Sequence, residues 1–448
     1  MKALIFVPGI MGTELFLGDE KLWPPKPLET QFGYKRIDKL LDKNLRVGKI
    51  IDKVLCIGFY DEILDQLANL GYAEGNADKR LYPFAYDWRL DLETTAELLA
   101  ARISSAYADG ASEIFITAHS MGGLVSRLVL ENTRYRNEPW FSTIKSFVAL
   151  ATPHRGAPLA LARVLGLDTA LGICKEDFKR ITASRDFPSG YQLLPAPGED
   201  CCWDLSTANV NAVDIYEPSM ATMLGLDDWL LNRARFLHDT FKAAGRPHGV
   251  RYFSFAGTGH ETVTRVNIFE RNKQFAAEDM IVTRTRDTGD GTVPFWSSLL
   301  PETQRHVAVN EHTTVFTGEP FKRVFFRLFG VDIGMPVEAL EEALTREPVA
   351  PRLSMPTQVI EVGHSFELVL LFGSSVSGLD GSLTLAPLDD DGLPKAPAQT
   401  LNDLSYQGPD IQQLRFDLPG IAAPGFYELR FEEGQNAASI RFAVAKTS

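Results

Sequence analysis

Cysteine is scarce, with four in 448 residues, and Cys56, Cys174, Cys201 and Cys202 show no metal-binding spacing. The adjacent pair at 201 and 202 is poor geometry for mutual bridging, so free thiols and a reducing compartment are expected and a disulfide scaffold is excluded. Basic charge is in deficit: 45 Lys and Arg against 58 Asp and Glu leave a net charge of -13 with no offsetting basic cluster. Such a surface repels polyanions, which excludes nucleic acid as a partner. No apolar run is long enough to span a bilayer. The opening Met1-Lys-Ala-Leu-Ile-Phe-Val-Pro-Gly is too short and too quickly interrupted for a secretory leader, so the chain reads as starting inside its first core strand and as cytoplasmic, with leaderless export left open. Internal repeats and low-complexity tracts are also lacking.

What is present is a large apolar fraction, 45%, in a chain too long for one hydrophobic core. Ala3 to Val7, Glu113 to Thr117, Lys145 to Leu150, Val250 to Ala256 and Arg305 to Val309 are short apolar runs bounded by turn residues, the pattern of buried parallel strands. Between them, "FYDEILDQLANLGY" (59 to 72) and "LETTAELLAARISSAYADG" (92 to 110) carry helical periodicity and stop at glycine. Alternation of strand and helix predicts an α/β fold with a parallel sheet. Gly18 to Asp52 and Arg155 to Gly249 break that rhythm and read as caps over the sheet's edge. At "REPVAPRLSMP" (346 to 356) the composition shifts to a proline-rich linker, beyond which short runs with period-2 alternation predict an antiparallel, Ig-like β-sandwich. The expected units are therefore 1–348, with insertions near 18–52 and 155–249, and 352–448.

One stretch raises a chemical question. In "AHSMGG" (118 to 123), Ser120 lies between an apolar strand and an apolar helix, where a serine is either a helix N-cap or a nucleophile lifted out of the sheet on a tight turn. The second reading needs small neighbours, and Ala118 and Gly122 supply them, although Ala118 stands where glycine is usual. A serine hydroxyl needs a base, and the base needs a carboxylate. On this fold the order is Ser, then acid, then His. "DTGDGTVP" (287 to 294) offers Asp290, with Asp287 competing. His306 falls within a strand and His364 beyond the linker, whereas His312 in "VNEHTTVF" falls in the loop after the last strand. The Met121 amide should donate to a developing oxyanion, and a second donor should come from the glycine-containing loop "VPGIMGTEL" (7 to 15). His119, His154 and His260 read as structural, and no cluster has metal-ligand spacing, so neither metal nor cofactor is expected.

Taken jointly and in order, "PGIMGTEL", "YDWR" (86 to 89), "AHSMGG", "FPSGYQLLP" (187 to 195), "GDGTVP" and "EH" resemble the lecithin:cholesterol acyltransferase family, α/β-hydrolases that include lysosomal phospholipase A2 and phospholipid:diacylglycerol acyltransferases. The resemblance covers residues 3 to 330. It implies Ser120, Asp290 and His312 as a catalytic triad and Ile10 with Met121 as oxyanion donors. Its "YQLLP" stretch resembles a family segment near the acyl pocket, which makes Leu193 and Leu194 candidate substrate-binding residues or else ordinary packing; Trp229 is a further candidate from the apolar surface of the cap. Tyr86, Asp87, Trp88 and Arg89 read as structural support. The implied activity is hydrolysis or transfer of acyl groups from phospholipid or acylglycerol esters, with transient contact to a membrane surface. A soluble carboxylesterase and a noncatalytic binding protein are the alternatives. The chain departs from the secreted members in having no leader and only Cys56 before Cys174; oligomeric state is not legible.

Overall fold

The computed structural model describes residues 1–26, 29, 33–54, 57–58, 60–169, 172–206, 210–269, 279–331, 351–355, 359–389, 392–434 and 436–445. Cys56 and most of the expected linker lie outside them. Six strands form one all-parallel sheet in the order Lys79–Pro83, Lys2–Val7, Glu113–His119, Ile144–Leu150, Arg251–Thr258, Gln304–Val309. Five of these are the expected apolar runs: four are longer by one or two residues, and the run expected at Val250 to Ala256 starts one residue later and ends two later. The sixth, Lys79–Pro83, was not anticipated; it is an edge strand whose Lys, Arg and Pro mask its pairing with Lys2–Val7. Helices Leu92–Ala108 and Met121–Glu131 pack against one another beside the sheet, and the latter is buried along its whole length. Its two charged side chains are buried only as a pair, Arg127 with Glu131 (2.8 Å).

The two insertions are more ordered than the word cap suggests. Thr13–Leu17, Glu20–Trp23 and Arg46–Ile50 form a small antiparallel sheet that buries Leu15, Leu22 and Trp23. In the second insertion, Leu161, Leu194, Cys202, Leu230 and Ala234 close a separate apolar cluster. Its strand Cys202–Asp204 pairs with His260–Ile268, which turns back through Met280–Gly289 to deliver Asp290. The last helix of that insertion, Asp228–Ala244, departs from the expectation: it packs on Met121–Glu131, and its Leu237 belongs to the main core.

Past residue 351 the structure is all β and sandwich-like, with its own core of Met355, Leu368, Leu370, Leu383, Leu429, Phe431, Phe442 and Val444. Two long strands, Phe366–Leu388 and Gln399–Leu418, pair antiparallel, and Phe366–Leu388 also pairs with Gly425–Glu433. One pair breaks the antiparallel rule, since Val359–Glu361 runs parallel to Asn436–Ala445. Among the described residues, two arginines of this region reach the rest: Arg352 donates to Thr317 Oγ1 (3.4 Å) and Arg415 approaches Asp287 (3.8 Å).

Candidate active site

Strand Glu113–His119 ends in a backbone conformation that few side chains adopt. Ser120 has φ 51° and ψ -126°, in the left-handed half of conformational space, and its hydroxyl caps no helix N–H. That geometry rejects the N-cap reading. The Ser120 amide donates to Leu150 O (2.8 Å) on the neighbouring strand, which fixes the turn to the sheet. Small residues are required around it: a Cβ at Gly122 would stand 2.4 Å from Pro8 O, and one at Gly9 would stand 2.8 Å from the Ser120 Cβ. Ala118 is fully buried in the strand and is tolerated there.

The hydroxyl has a partner instead. Ser120 Oγ donates to His312 Nε2 (2.9 Å), and His312 Nδ1–H donates to Asp290 Oδ2 (2.8 Å). His312 opens a short helical turn just past strand Gln304–Val309, and its backbone N–H also donates to Asp290 O (2.8 Å), so residue 290 grips it twice. Asp290 is itself held by the amides of Thr292 (3.0 Å) and Val293 (2.7 Å), which donate to Oδ1. A carboxylate with that many donors keeps its orientation and sets the imidazole tautomer. Thus the line hydroxyl, imidazole, carboxylate is complete, an arrangement able to activate a nucleophile by general-base catalysis.

The competing residues lie elsewhere. Asp287 is exposed and faces Arg415, His306 packs its ring on Phe255, and His364 is exposed beside Glu361. Ile10 and Met121 flank the Ser120 turn, and neither amide has a hydrogen-bond partner among the described residues. Of the residues expected at an acyl pocket, Leu193 is half-buried against the main core and Leu194 has no exposed surface within the cap cluster. Trp229 is 43% exposed at the start of helix Asp228–Ala244. The "YDWR" segment is buried support, with Arg89 paired to Asp87 (2.6 Å), bound to Leu40 O and Asp42 O, and Tyr86 donating to Pro8 O (2.8 Å).

Two groups at the site carry signals that sequence reasoning passed over. His119, noted only as structural, lies beside His312 with ring centroids 4.8 Å apart; burial, with the nearby His312 charge second, holds its pKa well below the usual histidine range. Glu311 is buried, its Oε1 has no partner among the described residues, and burial with the adjacent Asp290 charge pushes its carboxyl up to about 8. No cluster of three His, Cys, Asp or Glu side chains able to hold a metal ion occurs among the described residues. Nor, among them, is any helix long and apolar enough to cross a membrane.

A model of the lecithin:cholesterol acyltransferase family matches residues 43–340, the span that holds Ser120, Asp290 and His312. The uncharacterized protein YJR098C of Saccharomyces cerevisiae is 38% identical over 164 residues, covering 36% of this chain and 23% of its own, so the chain spans less than a quarter of that relative. Among solved structures, the lin2722 gene product of Listeria innocua aligns over 75% of this chain and 96% of its own at 11% identity, with a TM-score of 0.32. Aspergillus fumigatus lipase B aligns over 35% of this chain and 25% of its own at 16% identity, with a TM-score of 0.18. At those scores the fold rests on the strand order, not on the likeness.

Proposed function

The chain belongs to the lecithin:cholesterol acyltransferase family, whose members are lipid acyl hydrolases and acyltransferases, and from that premise we propose that it cleaves phospholipid or acylglycerol esters through an acyl-enzyme on Ser120. The observation that carries the reading is the strained Ser120 turn joined by hydrogen bonds to His312 and Asp290. His312 takes the hydroxyl proton as Ser120 Oγ attacks the ester carbonyl. The amides of Ile10 and Met121 donate to the oxyanion that develops. As the tetrahedral intermediate collapses, His312 returns the proton to the departing alcohol, leaving the acyl group on Ser120.

Release follows by the same proton transfer, from water in hydrolysis or from an alcohol in transfer. The triad cannot choose between them; the cap does, because a site that excludes water and seats an apolar alcohol favours transfer. Trp229 and Phe236, seven residues apart on one helix and both exposed, supply apolar surface for an acyl chain or a lipid interface. Net charge -13 favours zwitterionic or neutral interfaces over strongly anionic ones at low salt. The unpaired Cys174, Cys201 and Cys202 support a reducing compartment. The division between the α/β unit and the β region we place at residues 348 to 352.

Product partition in phosphatidylcholine vesicles, with and without a long-chain alcohol, tests this reading. Free fatty acid is expected in the first case and new ester in the second. Turnover of short-chain esters with neither lipid product would replace it with a soluble carboxylesterase.

A further inference from the structure

The residue before the nucleophile is a second histidine that the reaction above does not use. His119 is 3% exposed, yet both ring nitrogens are bonded: Nε2 lies 2.9 Å from His312 O and Nδ1 lies 2.8 Å from the Tyr60 hydroxyl. The same hydroxyl lies 2.7 Å from the Gly9 amide. Donor and acceptor rules leave one arrangement. A carbonyl only accepts, so Nε2 carries the proton; neutral Nδ1 then accepts, so Tyr60 O–H donates to it; and the Tyr60 oxygen accepts Gly9 N–H. Protonating His119 would set a hydrogen of Nδ1 against the Tyr60 hydroxyl proton, and burial opposes that charge.

The bonds therefore run in one direction across four separate segments: Gly9 N–H to Tyr60, Tyr60 O–H to His119, His119 Nε2–H to the carbonyl of His312. At one end is the peptide just before Ile10, the proposed oxyanion donor. At the other is the backbone of the proposed base. The rings leave Tyr60 little freedom, with Phe6 5.3 Å, His119 5.5 Å and Phe316 6.1 Å away between centroids. A Cβ on Gly9 would come within 3.3 Å of the Tyr60 hydroxyl and 3.2 Å of His119 Nδ1, so the loop can approach this chain only as glycine.

We infer that Tyr60 and His119 are positioning residues that lock the oxyanion loop to the backbone of the general base. The inference rests on the proposed roles of Ser120, His312 and Ile10. Small misplacement of either element lowers the rate of the chemical step without weakening substrate binding, because the misplaced groups act on the transition state.

The test compares turnover of a soluble short-chain ester by the wild type, Tyr60→Phe, His119→Leu, His119→Gln and the Tyr60→Phe/His119→Leu double variant. Tyr60→Phe keeps the ring packing and removes only the hydroxyl; it should lower kcat about tenfold or more with KM within about twofold. His119→Leu should do the same, and the double variant should be no worse than the poorer single variant, since one break already severs the chain. His119→Gln, whose side-chain amide can donate to His312 O, should recover most of the loss. Merely structural roles would give multiplying effects and no rescue by Gln, and either result overturns the inference. So does an unchanged kcat for Tyr60→Phe, which decides the matter alone if the His119 variants do not fold. Ser120→Ala serves as the control that separates the two levels. If it stays active, the proposed nucleophile is wrong; if it is inactive while Tyr60→Phe is fully active, only the positioning role fails.

Discussion

The α/β region and the C-terminal β region bury different things. Every buried Ser, Thr, Asn, Gln, His or charged side chain among the described residues lies at or before Thr317, whereas the β region fills its core with Leu, Phe, Val, Met and the like. Burying a polar group costs free energy unless it is bonded, so polar groups accumulate in a core only where something else requires them. In the α/β region these groups are bonded: Asp87 pairs with Arg89, Arg127 pairs with Glu131 inside the helix that follows Ser120, and Ser120, His312 and Asp290 are joined by hydrogen bonds into the proposed triad. The β region has stability from apolar packing and no comparable polar machinery among its described residues. Buried polar groups and purely apolar packing are divided along the chain.

That division can be broken by a mutation that harms one side only. Leu429 is fully buried in the β-region core, and Leu429→Ala should cost about 2–5 kcal/mol of that region's stability while leaving esterase turnover per folded molecule within about twofold. Denaturant unfolding read alongside activity checks it. Activity falling in step with stability would mean that the two regions share one working unit, with Arg352 and Arg415 as the points of transmission.

A smaller effect sharpens the other side of the comparison. The Glu311 carboxyl titrates near 4.5 in the unfolded chain and near 8 when folded, so the folded state holds its proton more tightly. The stability that the neutral acid contributes is complete below pH 4.5 and is lost as pH rises toward 8, because only the unfolded state releases the proton in that window. Glu311→Gln is neutral throughout. Its advantage over the wild type should open by about 1 kcal/mol between pH 5 and pH 6, in paired denaturant titrations. A gap that stays constant with pH would mean that Glu311 is ionised in the folded protein.

Much of this arrangement was legible in the sequence, and the rest was hidden for physical reasons. Strands buried on both faces are continuous apolar runs, which exposed the four inner strands; of the two edge strands, Gln304–Val309 still carries a short apolar run, whereas Lys79–Pro83 carries Lys, Arg and Pro and gave no strand signal. The strands between Thr13 and Ile50 were concealed by the proline and lysine of the connections between them. Ser120, Asp290 and His312 could be picked out because a tight turn demands small neighbours and the fold imposes a chain order on the three. Tyr60 left no such trace. Its hydroxyl joins Gly9 to His119 across 51 and 59 residues of chain, and no local spacing records a meeting of that kind.

Labelling with a fluorophosphonate, followed by peptide mass spectrometry, tests the central claim most directly. The account predicts a single phosphonylated residue, Ser120, together with loss of labelling and a fall in esterase activity of about 10³-fold or more in Ser120→Ala. An adduct on another residue, or a Ser120→Ala protein that keeps most of its activity, would contradict it.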